Sequence, residues 1–180
     1  MTSSVTSSVT WAEIILALVT AQRGAELMLS QRHTKALTAR GAVEIAAGHY
    51  PLMVAVHASW LISLWAFGHD QPVDTAALAA YLALQGLRIW VMATLGARWT
   101  TRIIVLPNAP LVTGGPYRYL RHPNYAVVAG EIAMLPLMLG LPWIAMIFTV
   151  LNAAILFIRI RAEDRALDTS RTITAPRPTS

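Results

Sequence analysis

The sequence predicts an all-α integral membrane fold of about five transmembrane helices, with a C-terminal helical hairpin and a long cytoplasmic loop before it. Three observations predict it. Of the 180 residues, 56% are hydrophobic and only 13% are charged, far from the balance of a soluble globular domain. The apolar residues come in long blocks rather than amphipathic stripes. Basic residues gather in alternate connecting segments, as they do in loops that face the cytoplasm. The net charge of +5 sits in short loops between apolar segments, which argues for a membrane surface and against nucleic acid. There is no cysteine, so disulfides and thiolate metal sites are excluded.

The first segment is expected from Trp11 to Leu29. It contains Glu13, Arg23 and Glu26, and the last two share a helix face where they can pair. A basic loop follows from Gln31 to Gly48, with Arg32, Lys35 and Arg40. The second segment runs from Tyr50 to Phe67. After an acidic loop with Asp70 and Asp74, the third covers Thr75 to Leu95 and carries Arg88. From Ala97 to Asn124 the helical period disappears. Pro107, Asn108, Pro110, Gly114, Gly115 and Pro116 break any helix, and an ordered loop of that length favours a functional role. Tyr125 to Ile158 is too long for one span, and Gly140-Leu141-Pro142 interrupts it. That predicts a tight hairpin, continued by a polar helix from Ala162. The chain thus reads as a flexible tail over residues 1–10, a single membrane domain over 11–168 and a disordered tail over 169–180.

Loop charge sets the topology. The first and third loops and the C-terminal segment are basic, whereas the second loop holds only acids and the hairpin tip no charge. The expected arrangement has the N-terminus outside and the C-terminus in the cytoplasm of a bacterial inner membrane. It puts the segment Gly115-Pro116-Tyr117-Arg118-Tyr119-Leu120-Arg121-His122-Pro123-Asn124-Tyr125 and the cluster Arg159-Ile160-Arg161-Ala162-Glu163-Asp164 on one face. The hairpin brings the two together.

Leu111-Val112-Thr113-Gly114-Gly115-Pro116-Tyr117, then Arg121-His122-Pro123-Asn124-Tyr125, then Arg159 and Glu163, resemble the isoprenylcysteine carboxyl methyltransferase family, part of a wider group with the phospholipid methyltransferases. The resemblance covers about Arg98 to Leu167. It implies an S-adenosyl-L-methionine-dependent methyltransferase embedded in the membrane. Leu111, Val112, Tyr117, His122, Pro123, Asn124, Tyr125 and Glu163 would form the cofactor site. Arg159, with His122, would serve the reacting group. In the N-terminal half, Gln22-Arg23, Glu26-Leu27, Arg40-Gly41-Ala42 and His49-Tyr50-Pro51 are similar to a bacterial branch associated with type III polyketide synthases, which O-methylates alkylpyrones. The implied substrate is a hydrophobic small molecule from the lipid bilayer, an alkylpyrone-like polyketide or a prenylcysteine-type carboxylate. The longer C-terminal segment of the eukaryotic enzymes is replaced here by Thr169 to Ser180, which argues against a prenylated protein as the substrate. Asp164 stands where a second Glu is common, a change the family is expected to tolerate. Related sterol reductases share a similar core and use NADPH, so a membrane reductase is the enzymatic alternative. A non-enzymatic scaffold is the third. The oligomeric state is not encoded in any of these features.

Methyl transfer from a sulfonium needs alignment and exclusion of water rather than covalent help. An ionised acceptor needs no base; a phenol or alcohol would call on His122 or Glu163. Glycines at 114 and 115 let backbone approach a ligand. Tyr117 and Tyr125 offer aromatic faces to adenine or to the positive sulfur. Plainer roles compete with each of these. His122 could only cap the helix that Pro123 starts. The tyrosines could belong to the interfacial aromatic belt, and Arg118, Arg121, Arg159 or Arg161 could anchor to lipid phosphate. Glu163 could pair with Arg159, four residues earlier. Glu131, a carboxylate within an apolar run, is expected to pair with Arg88 rather than to catalyse. His57 is expected to donate a hydrogen bond between helices.

Overall fold

The structure, a computed structural model, describes residues 9–45, 47–107 and 109–174, with side chains described up to residue 165. Thr10 starts the first helix. Its hydroxyl accepts the Glu13 amide while the Glu13 carboxylate accepts the Thr10 amide, a reciprocal cap. Helix α1 then runs from Trp11–Ala39, about 44 Å at the usual rise. It continues through residues 31–39, the first half of the stretch expected as a basic loop. The polarity of Gln31, Arg32 and Lys35 marks the end of the apolar face and not the end of the helix, since these are good helix formers.

Helix α2 spans Tyr50–Gly68 and α3 spans Thr75–Leu95, the latter with the expected bounds. Asp74 accepts the Ala77 amide at the α3 start. Helix α4 covers Pro123–Met138, with Pro123 in its first turn where no amide is needed. Gly140, at φ +66°, makes the reversal into α5, Pro142–Thr174. The hairpin is therefore present. Helix α5 continues to Thr174, past Thr169 where the sequence reading began a tail; residues 1–8 and 175–180 of the expected tails lie outside the described residues.

Among the described residues the fold is all-α apart from one short ribbon. Of the five helices, three are long and apolar enough to cross a membrane: Ala47–Gly68, Thr75–Arg98 and Pro142–Arg165. The chain is an integral membrane protein on that basis. Helix α1 carries Glu13, Arg23 and Glu26, and α4 has 16 residues, short for a span.

Helix α4 is wedged between α3 and α5. A Cβ on Gly130 would lie 2.8 Å from Leu84 Cδ2, so glycine is what lets α4 press against α3. Leu16, Trp60, Leu64, Ile132, Leu135 and Ile144 form the main core.

Charges also hold these helices. Arg88 of α3 donates through Nε to Glu131 Oε1 at 2.7 Å, and its Nη2 also pairs with Glu131 Oε2. Its Nη1 reaches Glu26 Oε2 at 2.9 Å. Arg23 bridges the same two carboxylates at 2.9 and 2.8 Å. Gln22 donates to the remaining Glu26 oxygen, Oε1, and Gln85 shares Glu131 Oε1 with Arg88. Two guanidiniums thus neutralise two carboxylates across α1, α3 and α4, and the expected Arg23–Glu26 and Arg88–Glu131 pairs are both present. His57 differs from expectation: its Nδ1 meets the Met53 carbonyl of its own helix at 2.8 Å.

Residues 43–44 pair antiparallel with residues 104–105, Val43 opposite Val105 and Glu44 opposite Ile104. This two-stranded ribbon, β1 (Val43–Glu44) and β2 (Ile104–Val105), ties the connection after α1 to the long loop. Arg102 strengthens the tie by bonding Glu44 at 2.7 Å and lying over the Tyr50 ring.

Candidate functional site

The loop that precedes α4 is held against α3 by its glycine. Gly115 has φ +56°, and a Cβ there would collide with the Thr94 side chain. The backbone at Gly115 therefore closes on α3 beside Thr94 and Trp90. Tyr117 packs beside Val91, Trp99 and Val127 and so turns the loop back toward α5.

What the loop encloses is a cavity of about 820 Å³ between residues 98–125 and α5. Leu111, Val112, Tyr117, His122, Asn124 and Tyr125 line it from the loop and the start of α4, and Arg159 and Glu163 from α5. Eight of the nine residues picked out from the sequence share one space. Pro123, the ninth, is buried as the first residue of α4 and does not reach it. Its part is to start the helix that aims Asn124 and Tyr125.

Tyr125 donates its hydroxyl to Glu163 Oε2 at 2.5 Å. Its ring stacks on His122, centroids 5.4 Å apart. His122 is the N-cap residue of α4, yet its side chain makes no capping bond. It stands instead between two carboxylates, Nδ1 3.9 Å from Glu163 and Nε2 3.4 Å from Asp164. Among the described residues Nε2 is buried without a properly directed hydrogen bond, so the ring retains a polar atom for a ligand. Burial first, and then the Glu163 carboxylate, push the Tyr117 phenol up to about 12. It stays a neutral donor at physiological pH.

Arg159 is the unusual member. It is 5% exposed. Its Nη2 donates to the Thr101 carbonyl at 2.8 Å and its guanidinium lies 5.7 Å from the Tyr125 ring centroid. Among the described residues no carboxylate pairs with it, Glu163 included; Glu163 is taken by Tyr125 instead. A buried cation without a counter-charge is costly unless a ligand supplies one. Arg118 lies exposed away from the cavity and Arg161 sits over Phe157, consistent with surface anchors. Arg121 is at the rim, 3.4 Å from Asp164.

A second pocket, of about 290 Å³, opens beside Arg159, lined mainly by α1, α2, α4 and α5, with Arg88 of α3 and Trp99 and Thr101 of the loop. Asn124, Tyr125 and Arg159 line both spaces. They form a partition between a cavity walled by loop residues and a pocket walled by the apolar faces of helices.

Sequence reasoning missed Thr101, which organises this partition. Its amide donates to Ser30 Oγ at 2.8 Å, its hydroxyl meets Ser30 and Tyr50, and its carbonyl holds Arg159. It also missed Asn152 and Trp99 on the second pocket. A single polar residue in an apolar run was the only available signal for Asn152.

Comparison with known proteins agrees with this geometry. The Isoprenylcysteine carboxyl methyltransferase (ICMT) family matches residues 77–169. That range holds α3, the enclosing loop, the hairpin and all nine residues above. The Bacillus subtilis (strain 168) protein printed as "Uncharacterized protein YpbQ" is 36% identical over 159 residues, 86% of this chain and 95% of that protein. A Haemophilus influenzae "Uncharacterized protein" is 26% identical over 160 residues, 86% of this chain and 93% of its own length. No solved structure matches. With the family match covering more than half of the chain and the relative in Bacillus subtilis aligned over nearly its whole length, the chain belongs to the isoprenylcysteine carboxyl methyltransferase family.

Proposed function

We propose that this protein is an S-adenosyl-L-methionine-dependent O-methyltransferase that acts on a hydrophobic small molecule drawn from the bilayer, such as an alkylpyrone-like polyketide. Family membership supports a membrane methyltransferase that uses this cofactor. The observation that carries the reading further is Arg159, a buried guanidinium with no carboxylate partner among the described residues, on the partition between two spaces.

The larger cavity suits the cofactor. Its volume lies within the range of small-molecule sites. Glu163 and Asp164 can accept from an ammonium or from ribose hydroxyls, and Tyr117 offers a neutral phenol and an aromatic face. His122 Nε2 faces Asp164 at 3.4 Å and makes no directed hydrogen bond among the described residues, so it can take one from a ligand. Bound S-adenosyl-L-methionine would supply an electrophilic methyl group on a positive sulfur.

Everything else in the step is alignment. Arg159 would hold the acceptor oxygen by a charge-assisted hydrogen bond and favour its ionised form. Tyr125, locked by Glu163 and stacked on His122, would set the wall against which the two reactants meet. Charge is lost when an oxyanion meets a sulfonium, so excluding water at the partition speeds the reaction without an oxyanion hole. The acceptor would arrive through the helix-walled pocket and the cofactor through the loop-walled cavity.

Five membrane crossings, an external N-terminus and a site facing the cytoplasm of a bacterial inner membrane complete the proposal. Support comes from the arginines at the mouth of the larger cavity, Arg98, Arg102 and Arg121. The test is to incubate membranes containing the protein with methyl-labelled cofactor and a lipid extract, then identify labelled products by mass spectrometry. A labelled methyl ether or ester that disappears with Arg159→Met is the expected result. Absence of any labelled lipid, or NADPH bound in preference to S-adenosylhomocysteine, would overturn the reading.

A further inference from the structure

The segment from Trp99 to Arg102 serves both spaces at once. Thr100 and Arg102 line the larger cavity, whereas Trp99 and Thr101 line the smaller one. The segment lies outside any helix or strand, so its shape depends on what its neighbours hold. Those neighbours come from α1 and α2. His33 Nδ1 stands 2.7 Å from the Trp99 carbonyl. Ser30, buried on α1, accepts the Thr101 amide at 2.8 Å, and its Oγ is also 2.8 Å from the Thr101 hydroxyl. The Tyr50 hydroxyl stands 3.1 Å from that same hydroxyl, and its ring carries the Arg102 guanidinium 4.0 Å from the centroid. Thr101 is thus held at its amide and at its hydroxyl, and its carbonyl holds Arg159. A guanidinium presents its N–H donors in a rigid fork. The bond from Nη2 to this carbonyl therefore fixes where the remaining donors point.

We propose that Ser30 and Tyr50 are positioning residues for methyl transfer, acting through Thr101 on Arg159. Neither lines either space, so neither touches cofactor or acceptor. Their effect is on the aim of a donor and not on the binding of a ligand. Aim matters in this reaction: a misplacement of about 1 Å can cost about a hundredfold in rate. Ser30 has the larger part, because it meets both the amide and the hydroxyl of Thr101; Tyr50 meets the hydroxyl alone. The inference rests on the methyl-transfer reading for the reaction that Arg159 serves, and on the hydrogen bonds alone for the fixture.

The test uses the full-length protein in detergent, with a synthetic alkylpyrone and methyl-labelled S-adenosyl-L-methionine. Ser30→Ala and Thr101→Val should each lower kcat at least tenfold, with KM for the cofactor and affinity for S-adenosylhomocysteine within twofold of wild type. Tyr50→Phe, which keeps the ring under Arg102, should lower kcat about threefold. Thr101→Ser, which restores the hydroxyl, should recover most of the rate. A double variant separates aim from mere support. Ser30→Ala combined with Arg159→Met should be no slower than Arg159→Met alone, since no guanidinium is left to aim. Losses that multiply would overturn the proposal. So would Ser30→Ala and Thr101→Val proteins that bind S-adenosylhomocysteine and turn over at the wild-type kcat. The fixture is also read without turnover, as the rate at which phenylglyoxal modifies Arg159, followed by peptide mass spectrometry. Both variants should raise that rate at least threefold, and an unchanged rate would overturn the proposal. Failure of the methyl-transfer reading shows separately, as lack of labelled product from the wild type, while the modification rate still decides whether Ser30 and Thr101 hold Arg159.

Discussion

Two clusters of buried charge lie within this one helical bundle, and they are finished to different degrees. In the first, Arg23, Glu26, Arg88 and Glu131 neutralise one another, and Gln22 and Gln85 donate to the two carboxylates as well. In the second, Arg159 has a backbone carbonyl and a tyrosine face but no carboxylate among the described residues. A closed network fixes helices in register; an open one keeps a charge available. The contrast separates what the molecule spends on folding from what it holds for a ligand. Both clusters contain arginine and glutamate in apolar surroundings, so composition alone does not distinguish them.

The comparison is easiest to break at the closed cluster. Glu131→Gln leaves Arg88 and Arg23 short of a counter-charge and should cost about 3–5 kcal/mol of stability, the usual penalty for stranding a buried partner. Thermal unfolding in detergent would show it; a melting temperature unchanged from wild type would mean the network is dispensable. Arg159→Met makes the opposite demand. Methyl transfer should fall at least a hundredfold, about 2.8 kcal/mol, while the melting temperature holds or rises because an unneutralised charge has been removed. A variant that loses both stability and activity together would place Arg159 with the structural cluster. Glu163→Gln sharpens the open cluster further. It weakens the acceptor of the Tyr125 hydroxyl and should reduce S-adenosylhomocysteine affinity about tenfold, about 1.4 kcal/mol, as read by calorimetry. Arg118→Ala, exposed and outside the cavity, should change affinity and turnover less than twofold, a roughly 0.4 kcal/mol effect at most.

Much of this was legible in the sequence, and the exceptions have physical causes. The bounds of α3 follow from Asp74 and Gly96, a cap and a stop that sit beside the helix they define. The hairpin follows from Gly140 and Pro142 in the same way. The last ten residues of α1 were hidden because hydropathy reports what a helix faces and not whether it is one. The site residues from Leu111 to Tyr125 and at 159–163 were recognisable as a set. What they touch was not, since the choice of Glu163 for Tyr125 over Arg159 depends on how two distant segments meet. Asn152 and Thr101 were missed for a related reason. Whether a polar group has a partner is a property of the packed bundle, and neither residue type announces it.

Thr101 lies in the half of the chain that carries the family signature, yet two of the side chains that fix it come from the other half: Ser30 on α1 and Tyr50 on α2. The orientation of Arg159 is thereby set by residues outside the stretch that identifies the chain. A fragment beginning at residue 77 would keep every recognisable letter and lose the fixture that aims the guanidinium. In this protein the inherited motif works like a key blank, and the N-terminal helices hold the jig in which it is cut.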